Sequence, residues 1–178
     1  MQGLMHGKRG LVMGVANDHS IAWGIARTLA AHGAKLAFTY QGEALAKRVK
    51  PLAASVGADL VLPCDVEDIG SVDQVFAELE RTWGTLDFLV HAIAFSDKSQ
   101  LAGRYADTTR ENFSRTMVIS CFSFTEAAKR AAALMPDGGA MRGERPRDAP
   151  GDRMIVGDPH DQAALTLHQP RHVRHPDA

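Results

Sequence analysis

The sequence predicts an α/β fold built on a parallel sheet, and three observations carry that expectation. From Arg9 to Leu134 short apolar runs alternate with longer stretches of helical period, as in chained βα units. Hydrophobic residues make up 45% of the 178-residue chain, enough for one ordinary core. A glycine-bounded loop follows the first apolar run and leads directly into a helix, as a strand does when it turns into its crossover.

The expected strands are 9–13, 35–40, 59–64 and 86–91. Between the first two, Ile21, Ile25 and Leu29 recur every four residues, while Ala22 and Ala26 keep the neighbouring stripe thin for close packing on the sheet. That helix stops near Gly33. Residues 42–56 carry a further helical pattern, which Pro51 is expected to kink or divide because it lacks a backbone donor. Over 71–82, Val72, Val75, Phe76 and Leu79 stand at offsets 0, 3, 4 and 7, opposite Asp73, Gln74, Glu78 and Glu80. A long helix follows, capped by Asp107 or Thr108, with an expected buried face of Phe113, Met117, Cys121, Phe124 and Ala128. The sheet order expected is 3-2-1-4, leaving the fourth strand an exposed edge.

A formal net charge of −1 gives no pull toward nucleic acid or an anionic membrane surface. No segment approaches the roughly 20 apolar residues that span a bilayer, and residues 1–10 lack a signal-length apolar run. Cys64 and Cys121 are too few for a disulfide framework and read as buried reduced thiols, which fits a cytoplasmic address. After Gly138-Gly139 the composition changes. Residues 142–178 hold five of the eight prolines and four of the eight histidines, with no Phe, Trp or Tyr. They are expected to form a disordered or poorly packed tail beyond a domain spanning 1–141, for want of apolar surface to offset the entropy of ordering. His168 and His172 have the spacing of a helical metal clip, but Pro170 between them spoils the helix, so no metal site is expected.

The loop after the first strand reads Gly14-Val15-Ala16-Asn17-Asp18-His19-Ser20-Ile21-Ala22-Trp23-Gly24. Gly14 permits a tight turn, the first helical amides are free to donate to a pyrophosphate, and the helix dipole favours negative charge there. Ser20 adds a hydroxyl as cap or phosphate ligand, and Gly24 is expected to let the helix lie close on the sheet. This is not the standard G-x-G-x-x-G spacing, and a glycine turn before a helix is useful without any ligand. The second strand ends at Tyr40-Gln41, where a ribose would lie; Gln41 can bond a hydroxyl but brings no charge to choose between NAD and its 2′-phosphate. Cys64-Asp65-Val66 offers a carboxylate and an amide to an adenine, or equally a helix cap. His91, ending the fourth strand, reads as a structural histidine.

Taken together, Gly14-x5-Ser20-Ile21-Ala22-x-Gly24, Phe38-Thr39-Tyr40-Gln41-Gly42, Pro63-Cys64-Asp65-Val66, His91-Ala92-Ile93-Ala94-Phe95 and Gly103-Arg104-Tyr105-Ala106-Asp107-Thr108-Thr109-Arg110 resemble bacterial type I enoyl-acyl-carrier-protein reductase, over about residues 3–141. The resemblance implies a Rossmann-type doubly wound parallel sheet of the short-chain dehydrogenase/reductase superfamily, cut off after the fourth strand and its helix. It implies NADH as cofactor, an enoyl-acyl-carrier-protein substrate in fatty-acid elongation, and a homotetramer. Carried over by position, Gly14, Ser20, Ile21, Gln41, Asp65, Val66 and Ile93 are expected to contact NADH, and Ser96 the substrate. Ala94 departs from the family's usual glycine.

In that family a tyrosine stabilises the enolate and a lysine seven positions later anchors the nicotinamide ribose. Both are expected downstream of Met141, yet the last tyrosine here is Tyr105 and the last lysine Lys129. Tyr40 and Lys47 share the separation but belong to the adenosine side, a coincidence of spacing. No catalytic residue is therefore assigned, and the chain alone is expected to be nearly inert or to serve as a non-catalytic NAD-binding or subunit-joining fragment. A frameshift or rearrangement near codons 139–142 is the expected origin of the tail.

Overall fold

The structure, a computed structural model, describes residues 3–136 and 139–143. Strands β1 (Arg9–Met13), β2 (Lys35–Tyr40), β3 (Leu60–Pro63), β4 (Phe88–His91) and β5 (Ala140–Gly143) form one sheet in the order β3-β2-β1-β4-β5. Every pairing is parallel: Leu11 lies opposite Ala37 and Leu89, Phe38 opposite Val61, and Leu89 opposite Met141. Helices α1 (Ile21–Ala31), α2 (Gly42–Ser55), α3 (Ile69–Trp83), α4 (Arg110–Met117) and α5 (Ser123–Leu134) complete the fold.

Alternation along the strands divides the core in two, because successive side chains point to opposite faces. Val12, Leu36, Phe38, Phe88 and Val90 pack against Ala22, Trp23 and Ala26 of α1 and Val49 and Ala53 of α2. Leu11, Met13, Ala37, Leu89 and Met141 pack against Val72, Val75, Phe76 and Leu79 of α3 and Ala127 and Ala131 of α5. The sheet is thus doubly wound. With both faces covered, the central strands read as apolar runs, Leu11-Val12-Met13 in β1 and Phe88-Leu89-Val90 in β4. Phe88 lies over Gly10 in the neighbouring strand, so close that any Cβ at residue 10 would strike its ring.

Several expectations need correction. The fourth strand is not an edge: β5 pairs along it, using Arg142 and Gly143 from the segment expected to be irregular. The remainder of that segment, 144–178 with its histidines, lies outside the described residues. α2 runs unbroken through Pro51, which is exposed while Ala46, Val49 and Ala53 are buried. The carbonyl of Lys47 that loses its partner therefore faces water. On α1, Ile21 is 55% exposed and Gly24 has open space where a Cβ would be, so the stripe on the sheet is Ala22, Trp23 and Ala26.

The long helix differs most. Thr109, not Asp107 or Thr108, caps α4, its Oγ1 accepting from the Asn112 amide at 3.2 Å. Between α4 and α5 the backbone widens into a π turn, Val118–Phe122. The buried positions are Ile119, Ser123, Ala127 and Ala131, with Phe124 and Ala128 at the margin of the core. Phe113, Met117 and Cys121 are exposed, as are Val118 and Phe122. Cys121 is accordingly not a buried thiol.

Candidate functional site

The carboxyl ends of β1 to β4 open onto one cleft of about 260 Å³, at the edge where open α/β sheets hold ligands. Gly14, Gln41, Asp65, Val66 and Ile93 all line it, with Tyr40, Ala94, Phe95, Arg115 and Ile119 among their neighbours. Gly14 has φ +100°, and a Cβ there would collide with the Ala92 carbonyl. A residue without a side chain lets β1 turn against the β4 loop.

Ser20 sits at the cap position of α1 but does not cap it. Its Oγ instead accepts from the amides of Ala16 and Asn17, both at 3.0 Å, and folds the loop back on itself. Asn17 Oδ1 accepts from the His19 amide at 2.9 Å. These bonds occupy the amides of Ala16, Asn17 and His19, while those of Ile21 and Ala22, at the start of the helix, have no acceptor among the described residues. Two N–H groups and the positive end of the helix dipole thus close a loop whose first residues, Gly14, Val15 and Ala16, line the cleft, an arrangement suited to an anion. Ser20 and Ile21 flank the cleft rather than line it.

Across the cleft, Gln41 Nε2 donates to Asp65 Oδ2 at 3.0 Å, and the Glu67 amide donates to Asp65 Oδ1 at 3.0 Å. Asp65 therefore faces the cleft as a positioned acceptor, while Asp68 caps α3 by accepting from the Gly70 amide at 3.0 Å. Cys64 beside it is inert: burial pushes its thiol up to about 11, with Asp65 and Asp68 adding to the rise against a Ser71 hydrogen bond.

His91 is structural, as its sequence context suggests. It is 1% exposed, with Nε2 at 2.8 Å from Ser123 Oγ and Phe124 edge-on to its ring. Ser123 Oγ donates to the Ile119 carbonyl at 2.6 Å, so the imidazole must be the donor through Nε2. Burial lowers its pKa to about 4 and keeps it neutral. Ser96 lies outside the cleft lining, its Oγ accepting from Asn112 Nδ2 at 3.3 Å.

Nothing in the local sequence pattern marks Glu67 and Arg115 as a pair. They are 48 residues apart and joined by two hydrogen bonds of 2.8 Å, and Arg115 also lies over the Phe95 ring at 4.7 Å. Tyr40 ends β2 with Lys50, not Lys47, over its ring at 5.4 Å. Among the described residues no group of His, Cys, Asp and Glu could hold a metal ion, and no helix is long and apolar enough to cross a membrane.

Comparison with known proteins follows the same residues. A curated relative, enoyl-[acyl-carrier-protein] reductase [NADH] 2 of Rhizobium meliloti, is 75% identical over 141 residues, 79% of this chain and 53% of its own. The crystal structure of FabI from Candidatus Liberibacter asiaticus superposes with a TM-score of 0.77 at 60% identity, covering 79% of this chain and 55% of that one. An enoyl-(acyl-carrier-protein) reductase of Anaplasma phagocytophilum, solved in complex with NAD, gives a TM-score of 0.76 at 54% identity, covering 79% and 54%. The chain spans about half the length of the curated relatives it matches. The profile of the family described as Enoyl-(Acyl carrier protein) reductase matches residues 14–142, more than half of the sequence, and the chain belongs to that family.

Proposed function

We propose that this chain is the dinucleotide-binding part of an NADH-dependent enoyl-acyl-carrier-protein reductase, and that a polypeptide of these 178 residues binds NADH without turning over substrate. The observation that carries the reading is the pair of unpartnered amides, Ile21 and Ala22, beside a glycine turn that opens onto a cleft lined by Gln41, Asp65, Val66 and Ile93. In this reading the two amides and the Ser20-ordered loop hold the pyrophosphate. Gln41 bonds the adenosine ribose, and Asp65 with the Val66 amide meets the adenine. Ile93 and Ala94 form the floor at the nicotinamide, and Ser96 lies toward the acyl substrate.

Bound NADH would supply the hydride that reduces an enoyl thioester. The chain's own part is to bind and orient. The resemblance places an enolate-stabilising tyrosine and a ribose-anchoring lysine downstream of Met141, where this sequence has neither. Their absence would cost a factor of about 10² or more each in rate. A cytoplasmic setting and an enoyl-acyl-carrier-protein substrate belong to the same proposal.

The test is calorimetric titration of the purified chain with NADH, alongside loss of NADH absorbance with a short enoyl thioester. Saturable binding without turnover supports the reading. Turnover free of contaminating reductase refutes its second half, and failure to bind refutes its first. A second reading, a fragment that joins other subunits through helices α4 and α5, is favoured by the exposed Phe113, Met117, Val118 and Phe122. It predicts concentration-dependent association that Phe122→Ser weakens.

A further inference from the structure

We infer that Arg115 is a positioning residue that closes the purine end of the cleft, acting as one half of a bridge to Glu67. The inference rests on the dinucleotide reading above and adds to it a residue that reading does not use.

The two walls concerned are the loops after β3 and after β4. In the sheet order β3-β2-β1-β4 these strands are third neighbours, about 14 Å apart at ordinary strand spacing. No main-chain hydrogen bond joins the two loops among the described residues. The β4 loop is instead fixed to the following helix. The Phe95 amide donates to Ser120 Oγ at 3.0 Å, Ser120 Oγ donates back to the Phe95 carbonyl at 3.3 Å, and the Asp97 amide donates to Asn112 Oδ1 at 3.0 Å. Arg115, on that same helix, then reaches the opposite wall. Its Nε and Nη2 each meet a Glu67 oxygen at 2.8 Å while its guanidinium stacks on Phe95.

Among the described residues this is the one polar side-chain link between the β4 side and the β3 loop. A planar guanidinium gripped along one edge by a carboxylate and supported beneath by an aromatic ring has a fixed position and a flat face. It lines the cleft together with Asp65, Val66 and Glu67. The bridge therefore sets the separation of the walls that would hold the adenine. The two side chains are 52% and 33% exposed, so the pair adds little to the stability of the fold and can be removed without unfolding it.

The experiment titrates the unaltered chain, Arg115→Gln, Glu67→Gln and the exchange Glu67→Arg with Arg115→Glu with AMP, with NADH and with reduced nicotinamide-hypoxanthine dinucleotide, recording each thermal midpoint. Arg115→Gln should weaken AMP and NADH alike, by about tenfold, as a loosened adenine wall would. It should also narrow the preference for NADH over the hypoxanthine analogue and leave the midpoint unmoved. Glu67→Gln should do the same, and the exchange should recover most of the lost AMP affinity. Unchanged AMP affinity and preference in Arg115→Gln overturn the inference and leave the dinucleotide reading standing. Equal loss of both dinucleotides with a lowered midpoint shows a merely structural residue and also overturns it. Failure of the unaltered chain to bind NADH or AMP overturns both.

Discussion

Acidification should weaken this fold through His91 before its carboxylates are titrated. The imidazole is enclosed between Ser123 and Phe124, and burial holds its pKa at about 4 against an ordinary 6.5. A folded-state value below the unfolded one means that the unfolded chain binds the proton first. The contribution is fully present above about pH 6.5 and is lost as pH falls from there toward about 4. Integrated from about pH 7.5 to about 4.5, the two pKa values correspond to a loss on the order of 2–3 kcal/mol. For a chain of this size that is a fall of roughly 5–10 °C in the thermal midpoint. Urea unfolding followed by circular dichroism across that range measures it directly. His91→Gln removes the titrating group while keeping a donor toward Ser123, so its stability should decline more gently than that of the unaltered chain. Parallel pH profiles for the two would refute the assignment of the buried neutral imidazole.

Gly14→Ala meets two obstacles, a φ of +100° and the Ala92 carbonyl in the path of the new Cβ. It should lose at least about 2 kcal/mol of stability and weaken NADH at least about tenfold, measured by urea midpoint and calorimetry. Asp68→Ala deletes the acceptor for the Gly70 amide at the start of α3 and should cost about 1 kcal/mol, with NADH affinity unchanged. A thiol reagent at neutral pH should modify native protein at Cys121 alone, since Cys121 is exposed while burial holds the Cys64 thiol at about 11. Mass mapping of peptides from labelled protein checks it, and early labelling of Cys64 would mean that the cleft wall opens.

Strands β1 to β4 were legible because a sheet covered on both faces demands apolar residues at successive positions, and Leu11-Val12-Met13 or Phe88-Leu89-Val90 leave little alternative. α3 was legible for the opposite reason: it is covered on one side only, so its spacing declares the buried face. β5 was missed because Ala140-Met141-Arg142-Gly143 holds a single large apolar residue, and what recruits it to the sheet is the open backbone of β4. In the site, Gly14, Gln41, Asp65 and Val66 stand at or just past strand ends and could be singled out there, whereas Ile93 rests on the family resemblance alone. Of the two roles the sequence offers Ser20, cap or phosphate ligand, the cap does not hold, since its hydroxyl serves the Ala16 and Asn17 amides behind it rather than the helix ahead. Glu67 and Arg115 were invisible, as no local pattern pairs a loop carboxylate with a guanidinium two elements later.

The reversed face of the last helix has a single physical origin. Phe113, Met117, Cys121, Phe124 and Ala128 describe one stripe only if the helix is regular throughout, and Val118–Phe122 is not. Widening one turn inserts a residue into the count, which rotates everything beyond it by about 100° relative to what precedes it. The turn falls where the helix meets the β4 loop. Within it Ser120 secures Phe95, and immediately after it Ser123 engages His91 and begins the small-residue stripe, Ala127 and Ala131, that lies on the sheet. The contacts of Ser120 and Ser123 coincide with the irregularity, and beyond it the buried stripe no longer continues the line of Phe113 and Met117. Hydrophobicity alone assigns those side chains to the core, so the pattern misleads at the one place where the fold gives up helical regularity to build its site.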